Sequence, residues 1–202
     1  CGYFLQESDD IYIGTPELLI YDRDNGEGTE TYIESDLQRG NVSYYMWHYA
    51  ERDIPSSDFI EQNFRYIVFE GGSNTAEPIT TPEIELFEGF LDAGIDGQPN
   101  GLFLSGQYLA DSPVITGFLS EYCATEHISN SVSVLLGLTV RGFTDDVVTD
   151  GMELNVSYGS SCSGPQSSIG SCIPTDDGIP ALFYFGTSDL TCATRNDAGH
   201  YR

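Results

Sequence analysis

Short apolar runs alternate with stretches of helical periodicity along the first half of the chain. The runs are four to seven residues long, as expected for strands buried on both faces of a sheet. The last helical stretch begins with Thr81 as the predicted N-cap, Pro82 at the first helical position and Glu83 in an acidic first turn, and it stops at Gly94. The pattern predicts strands at 17–21, 43–49, 65–70 and 101–104 and helices at 29–39, 55–60 and 81–93. Such alternation is typical of an α/β fold with a mainly parallel sheet and helices on both faces.

The second half of the chain is less regular. Helical spacing predicts a helix at 114–122, and apolar patterning predicts strands at 132–141, 152–158 and 181–185. Serine and glycine dominate residues 159–171, which are predicted to form a surface loop. The length predicts a single domain over 1–202, with an N-terminal extension at 1–16, a loop insertion at 159–180 and an irregular C-terminal part.

The five cysteines favour an oxidising, extracellular setting. Cys162 and Cys172 bracket the Ser/Gly-rich loop, so a disulfide between them would close a segment that no helix or strand holds. A second bridge between Cys123 and Cys192 would leave Cys1, for which a lipid anchor, a further pairing and a position at the edge of a longer chain all stay open. The absence of any CxxC pair argues against a zinc site.

The charge of the chain is strongly negative. Seven basic residues, all arginine, stand against 32 acidic ones, which gives a formal charge of −25. Nucleic acid and anionic membrane surfaces are excluded as charge-driven partners, because both need clustered Lys and Arg. No apolar run approaches the roughly 18 residues of a membrane span. Excess carboxylates suit high salt or a Ca²⁺-rich surface layer, where cations screen the repulsion between them.

A weaker fifth match at Val140–Leu154 accompanies four segments that carry a resemblance to a known family. They are an apolar strand with its acidic turn, two further strands, and a stretch containing Leu-Phe-Leu-Ser-Gly-Gln, at Leu18–Gly26, Ser43–Trp47, Tyr66–Gly72 and Gly101–Ala110. In this order they resemble the class I glutamine amidotransferase-like domains found beside secreted bacterial peptidases and in other large extracellular proteins. The resemblance implies a three-layer, flavodoxin-like fold and an extracellular or cell-surface location.

The resemblance does not extend to the catalytic nucleophile. Amidotransferase activity needs a cysteine on the sharp turn after a central strand, with a histidine and an acid nearby. Alignment on Gly106-Gln107 places that position near Leu104 or Ser105, and neither residue is a cysteine. Ser105 is a candidate replacement nucleophile, with His200 as its candidate base. Alternatively, Ser105 caps the helix that follows it.

Carboxylates after the first strand form a candidate metal site. The cluster that could bind Ca²⁺ consists of Asp22, Asp24, Asn25, Glu27 and Glu30, and the favoured ligands among them are Asp22, Asp24 and Glu27. They would lie at the C-terminal edge of the sheet, where ligands of such folds bind. A second set of candidate ligands is Asp145, Asp146 and Asp150.

The spacing Asp22-x-Asp24 also resembles the opening motif of haloacid-dehalogenase-like phosphatases. In that family one aspartate attacks phosphorus, the other is an acid and base, and distal carboxylates hold Mg²⁺. The family also uses a basic residue, usually lysine, to neutralise the phosphoryl group, and this chain has no lysine.

The sequence therefore predicts a non-catalytic structural or interaction domain of a secreted or cell-surface assembly, adapted to high salt or Ca²⁺. Its partners would be other subunits or domains of the same assembly, and it would need no cofactor, with Ca²⁺ as the one candidate ion. The alternative is a hydrolase that uses Ser105 as nucleophile, or a metal-dependent phosphatase that uses Asp22 and Asp24.

Overall fold

A computed structural model describes residues 16–74, 76–129, 139–155, 170–175, 177–185 and 190–202. Strands and helices alternate up to residue 121, and strands predominate after it. In chain order the elements are β1 Leu18–Asp22, α1 Glu30–Arg39, β2 Tyr45–His48, α2 Tyr49–Arg52, α3 Ser57–Asn63, β3 Tyr66–Glu70, α4 Thr81–Asp92, β4 Gly101–Ser105, a 3₁₀ turn Leu109–Asp111, α5 Thr116–Glu121, β5 Thr125–Ser129, β6 Thr139–Gly142, β7 Glu153–Asn155, β8 Ser171–Pro174, β9 Ile179–Phe185 and β10 Thr191–Arg195.

The first four strands form a parallel sheet in the order β2-β1-β3-β4. This order is shared with the first four strands of flavodoxin-like sheets. The predicted α/β architecture with a parallel sheet is confirmed in this part of the chain. Each predicted strand lies within two residues of the observed one at both ends.

One face of the parallel sheet carries an aromatic core. Tyr45 and Trp47 of β2 point to this face, and the indole of Trp47 donates to the carbonyl of Asp53 at 2.7 Å. Helices α3 and α4 cover the face with apolar side chains that are at most 5 % exposed. The main members of this core are Leu19, Tyr21, Tyr45, Trp47, Ile60, Phe64, Ile67, Phe69, Ile84, Phe87 and Phe90.

Helix α1 lies on the opposite face of the sheet. The connection from β1 to β2 runs in the opposite direction across the sheet from the connections that contain α3 and α4. Because such crossovers are right-handed, α1 must cover the other face. Tyr44 agrees with this placement: it alternates with the core residue Tyr45, and its hydroxyl donates to Glu34 of α1 at 2.7 Å.

The remaining strands form two antiparallel sheets, with the orders β10-β9-β6-β7 and β5-β8. The predicted mainly parallel sheet therefore holds for the first half of the chain alone. Strand β8 and the start of β9 also lie inside the predicted loop insertion at 159–180. Short antiparallel strands of mixed polarity give weak sequence patterns, so their pairing depends on tertiary contacts.

The last two residues extend the parallel sheet beyond β4. Tyr201 forms a parallel bridge with Asn100. The backbone N–H of Arg202 donates to the Asn100 carbonyl and the N–H of Leu102 donates to the Arg202 carbonyl, each at 2.9 Å. This arrangement places residues 200–202 at the amino-terminal end of β4.

The two predicted disulfides are not found. Cys123, Cys172 and Cys192 are free thiols, and Cys1 and Cys162 lie outside the described residues. Cys123 packs against the aromatic core, whereas Cys192 packs against Val140 and Tyr184 in the antiparallel part. Because these thiols belong to different clusters, the predicted Cys123–Cys192 bridge does not form.

The helices are short. Helix α4, with 12 residues, is the longest in the described ranges. No helix in this part of the chain is long and apolar enough to cross a bilayer.

Candidate functional site

Four polar side chains form one row across the carboxyl edge of the parallel sheet. Asp22 is in register with His48 of β2 and with Glu70 of β3, and Glu70 is in register with Ser105 of β4. Alternation along the strands turns all four toward the face that α1 covers, away from the aromatic core. The sequence predicted this edge as the site, and Glu70 and His48 are members that it did not single out.

Asp22 and His48 form a close pair within this row. The ring Nδ1 of His48 lies 2.6 Å from Asp22 Oδ2, and the other carboxylate oxygen accepts the backbone N–H of Asp24 at 3.1 Å. The His48 side chain is 41 % exposed and the Asp22 side chain 11 %. Burial raises the pKa of Asp22, although the hydrogen bonds from His48 and Asp24 oppose that shift.

Asp24 organises the turn after β1. Its Oδ1 accepts the backbone N–H groups of Gly26 and Glu27, at 2.7 and 3.1 Å. Its Oδ2 accepts the backbone N–H and the hydroxyl of Thr29, at 2.7 and 2.8 Å. Burial alone would raise the pKa of Asp24, but these bonds bring it below its usual range. With four acceptor positions filled and no exposed surface, this carboxylate is a structural element of the loop.

Glu30, the first residue of α1, brings a third carboxylate to the turn. Oxygens of Asp22, Asp24 and Glu30 lie within 4.8 Å of one another, and this is the one such cluster in the described part of the chain. Glu30 Oε2 is buried and has no hydrogen-bond partner. Burial and the charges of Asp22 and Asp24 raise the pKa of Glu30. The cluster therefore has an acceptor that no protein group satisfies and a surplus of negative charge.

Glu70 connects this cluster to Ser105. Its Oε1 accepts the Gly72 backbone N–H at 3.1 Å and lies 3.2 Å from the Thr29 hydroxyl, whose single proton it shares with Asp24. Burial raises the pKa of Glu70, and the hydrogen bonds from Gly72, Thr29 and Ser105 oppose the shift. Ser105 is thus hydrogen-bonded to a carboxylate of the neighbouring strand.

The structure does not bring Ser105 and His200 together. The His200 carbonyl accepts the backbone N–H of Asn100 at 3.1 Å, just before β4 begins, whereas Ser105 is the last residue of β4. Five strand residues span roughly 15 Å, so the two residues lie at opposite ends of the strand. His48 is separated from Ser105 by three strand spacings of about 4.8 Å each. His127 pairs with Asp111 at 3.4 Å.

Glu27 does not join the carboxylate cluster. Its side chain accepts the backbone N–H of Ser73 at 2.9 Å and also the Ser73 hydroxyl. The residues on both sides of Glu27 have positive φ angles: 62° at Asn25, 85° at Gly26 and 75° at Gly28. This tight turn directs Glu27 toward the loop after β3 and leaves Glu30 beside Asp22.

The second set of predicted ligands does not converge. Asp146 is buried, and its carboxylate accepts Arg195 at 2.7 Å and the backbone N–H groups of Val148 and Thr149. The Arg195 guanidinium is the main reason that the pKa of Asp146 lies well below its usual range. Asp145 and Asp150 are exposed. This group is an anchor for β10, because Arg195 ends that strand.

A buried ion pair lies on the core side of the acidic edge. Glu83 Oε1 accepts the Tyr21 hydroxyl at 2.8 Å and Arg23 Nε at 3.0 Å, and its Oε2 accepts the backbone N–H and hydroxyl of Thr80 at 2.7 Å. Arg23 also stacks on the Tyr49 ring, 3.9 Å from its centroid. The predicted acidic first turn of α4 is therefore a capping box whose carboxylate is also the partner of a buried arginine.

A cleft of about 510 Å³ opens beside the carboxyl edge. Residues 76–82, before and at the start of α4, form one wall, and residues 108–114 form the other. Glu77 and Asp111 line the cleft, and neither Asp22 nor Ser105 does. The polar row is thus separate from the cleft.

Comparisons with known proteins give limited information. No family model and no curated protein matches the chain. A solved structure described as a glutamine amidotransferase from Thermotoga maritima is similar to it, with 14 % identity and a TM-score of 0.48. The similarity covers 91 % of this chain and 72 % of that chain. A similarity of this size has no bearing on activity.

Proposed function

We propose that this chain is a non-catalytic structural or interaction domain of an extracellular or cell-surface assembly, and that its acidic sheet edge binds a divalent cation, with Ca²⁺ as the first candidate. The observation that carries the cation site is the carboxylate cluster of Asp22, Asp24 and Glu30 with its unpartnered Glu30 oxygen. The net charge of −25 supports a cation-rich working environment.

The donor set fits a hard cation that keeps part of its water shell. Glu30 offers one oxygen without a protein partner, and each oxygen of Asp22 accepts one hydrogen bond and can accept more. Asp24 is already saturated, so it would act through its charge. Ca²⁺ takes six to eight oxygen ligands, and Mg²⁺ commonly binds through one or two carboxylates with several waters. Both ions therefore belong in the test.

The position of Ser105 supports the non-catalytic proposal. A serine nucleophile needs a base within hydrogen-bond reach, and the partner of Ser105 is the Glu70 carboxylate, which is itself held by Gly72 and Thr29. The three histidines of the chain are placed elsewhere. A hydrogen bond from Ser105 to Glu70 is what a structural serine at a strand end would make.

The phosphatase alternative has less support from the same residues. Its acid and base would be Asp24, whose oxygens are fully occupied by the turn. Its phosphoryl group would need a positive charge, and the nearest arginine in the sequence, Arg23, is buried against Glu83. Cation binding requires neither a free acid–base carboxylate nor a neutralising arginine.

Calcium titration of the parent and two charge-matched variants tests the proposal. Glu30→Gln removes the unpartnered carboxylate, and Glu85→Gln removes an exposed carboxylate of α4 as the control. In calorimetry at constant ionic strength we expect one saturable Ca²⁺ site in the parent and in Glu85→Gln, weakened at least about tenfold in Glu30→Gln. Equal binding by all three proteins would mean diffuse screening and would overturn the site.

An activity panel tests the non-catalytic part. The parent, Ser105→Ala and Asp22→Asn are assayed with esterase, amidase and phosphatase substrates, with Ca²⁺ or Mg²⁺ present. We expect no turnover above buffer for any of them. Turnover by the parent that disappears in either variant would establish the hydrolase alternative.

A further inference from the structure

The antiparallel part of the protein contains two thiols that approach each other from different sheets. Cys172 lies in β8, which pairs with β5, and Cys192 lies in β10, at the edge of the other antiparallel sheet. Strands β8 and β10 pack directly against each other. Neither thiol belongs to the acidic edge, so a bond between them is independent of the proposed cation site.

The distance between the thiols can be bounded from one hydrogen bond. Cys172 Sγ lies 3.7 Å from the carbonyl oxygen of Thr191, the residue before Cys192. A carbonyl oxygen is about 3 Å from the Cα of the next residue, so Cys172 Sγ lies within about 7 Å of the Cys192 Cα. That bound places the two cysteines next to each other on packed strands. In a disulfide, with Cα atoms about 4.4–6.8 Å apart, the Cys172 sulfur would turn from the Thr191 carbonyl toward Cys192.

Tyr184 shows that the two side chains share one environment. It packs with Cys192 and Val140, and its hydroxyl donates to the carbonyl of Gly170 at 2.5 Å, two residues before Cys172. Burial raises the pKa of Cys192 to about 12, and the nearby Cys172 contributes to the shift. Burial also raises the pKa of Cys172.

We infer that Cys172 and Cys192 form a disulfide when the protein meets a low-molecular-weight disulfide oxidant such as glutathione disulfide, and that this bridge joins the two antiparallel sheets. One protein thiolate attacks the oxidant, which gives a mixed disulfide and releases one small thiol. The second protein thiolate then attacks the protein sulfur of the mixed disulfide and releases the second small thiol. Two protein thiols are oxidised, and one small disulfide is reduced to two thiols.

The raised thiol pKa values predict how the rate depends on pH. Thiolate is the attacking species, and at neutral pH it is scarce for both residues. We expect the rate of bridge formation to rise by about tenfold per pH unit between pH 7 and pH 9, because thiolate increases tenfold per unit below the pKa. The bridge is therefore a slowly formed structural link.

Peptide mapping after oxidation tests the inference. The reduced protein is incubated with glutathione disulfide at about pH 8.5, blocked with an alkylating reagent, and cleaved after aromatic residues, which separates Cys172 from Cys192 at 183–185. The expected product is a pair of peptides held together until reductant is added. The same bridge should form in Cys123→Ser, whose thiol lies in the main core, and in Cys162→Ser.

Three cysteine variants and prolonged oxidation of the parent keep the result decisive. Loss of the bridge in Cys162→Ser would assign it to Cys162 and overturn the inference, as would a full set of free thiols after prolonged oxidation of the parent. The bridge should be absent in Cys172→Ser and in Cys192→Ser, and its persistence in either would also overturn it. Far-UV circular dichroism checks that these two variants fold. The bridge expected in Cys162→Ser is a positive result, so it can be read even if Cys172→Ser or Cys192→Ser fails to fold.

Discussion

Replacing Glu83 by Gln should cost a large fraction of the stability of this domain. Glu83 is at the third position of α4, and its side chain is 0 % exposed. The substitution keeps the size of the side chain and removes its charge. It leaves Arg23, which is 6 % exposed, without its buried carboxylate partner. Both carboxylate oxygens of Glu83 accept hydrogen bonds, so the NH₂ group of Gln must replace one of these acceptors. It then faces either the N–H and hydroxyl of Thr80 or the donors of Tyr21 and Arg23, and in both cases a donor faces a donor.

The magnitude follows from the burial of the pair. Breaking a buried ion pair by removing one partner costs about 3–5 kcal/mol, because the remaining charge stays desolvated. The capping box adds no loss when the NH₂ faces Arg23, because the Gln carbonyl then accepts the Thr80 donors. The Tyr49 ring offsets about 1 kcal/mol through its contact with Arg23. Glu77, 3.8 Å from Arg23 and 68 % exposed, adds little. We expect a net loss of about 3 kcal/mol, which lowers the Tm by roughly 6–12 °C for a domain of this size.

Urea unfolding followed by tryptophan fluorescence measures this effect. Trp47 is the single tryptophan of the chain, and it lies in the core at 4 % exposure. Glu85→Gln on the exposed face of the same helix is the matched control and should change the free energy of unfolding by less than about 0.5 kcal/mol. A loss below about 1 kcal/mol in Glu83→Gln would refute the reasoning, because Arg23 would then not depend on that carboxylate.

Two further predictions concern the acidic edge and the antiparallel sheet. The pKa values of three carboxyl groups are higher in the folded protein than in the unfolded chain, namely those of Asp22, Glu30 and Glu70. Their contribution to stability is therefore full below about pH 4 and is lost as the pH rises through their pKa values in the folded protein. Without divalent cations the free energy of unfolding should therefore be greater at about pH 5 than at pH 7.5, and saturating Ca²⁺ should reduce that difference; thermal melts at constant ionic strength check both statements. A Cβ added at Gly142 would overlap a backbone carbonyl, so Gly142→Ala should lose at least about 2 kcal/mol, whereas at Gly117 in α5 a Cβ meets nothing and alanine should stabilise slightly. Circular dichroism melts of the two variants, compared with the parent, test this contrast.

The parallel sheet could be predicted from the sequence because its signals are local. Each of its strands is a short apolar run closed by a polar residue or glycine, and buried parallel strands need such runs on both faces. The N-cap of α4 was predicted one residue too late. Thr81 was the predicted cap, whereas Thr80 is the N-cap and Thr81 is the first helical residue. Such shifts are common at helix ends, where several residues can serve as the cap.

The candidate site was predicted in its location and only partly in its members. The carboxyl edge follows from the strand directions, which the alternation of elements determines. The choice between Glu27 and Glu30 depends on the positive φ angles at 25, 26 and 28, because they decide which side chain turns inward. Glu70 belongs to the row because it is in register with Asp22 and Ser105 on the neighbouring strands. The register between strands cannot be read from the sequence of one strand.

Cysteine pairing and the antiparallel sheets depend on tertiary contacts. The spacing of the cysteines favoured Cys162–Cys172 and Cys123–Cys192, but the structure places Cys123 in the aromatic core and brings Cys172 close to Cys192. Strands β5, β8 and β10 have weak patterns because each is short and half exposed. The β5–β8 pair joins Thr125 to Pro174, which are remote in the sequence, so no local propensity specifies that pairing.

The amino-acid sequence alone was enough to specify the α/β class of the first half, the four strands of the parallel sheet and the excess of carboxylates that excludes anionic partners. These depend on composition and on periodicities of two and 3.6 residues, which are properties of the chain itself. Folding in three dimensions determined which carboxylates meet, which thiols approach each other, and that Ser105 and His200 lie at opposite ends of β4. Each of these is a distance between side chains that the sequence pattern does not encode, and such distances are set by strand order, register and turn geometry.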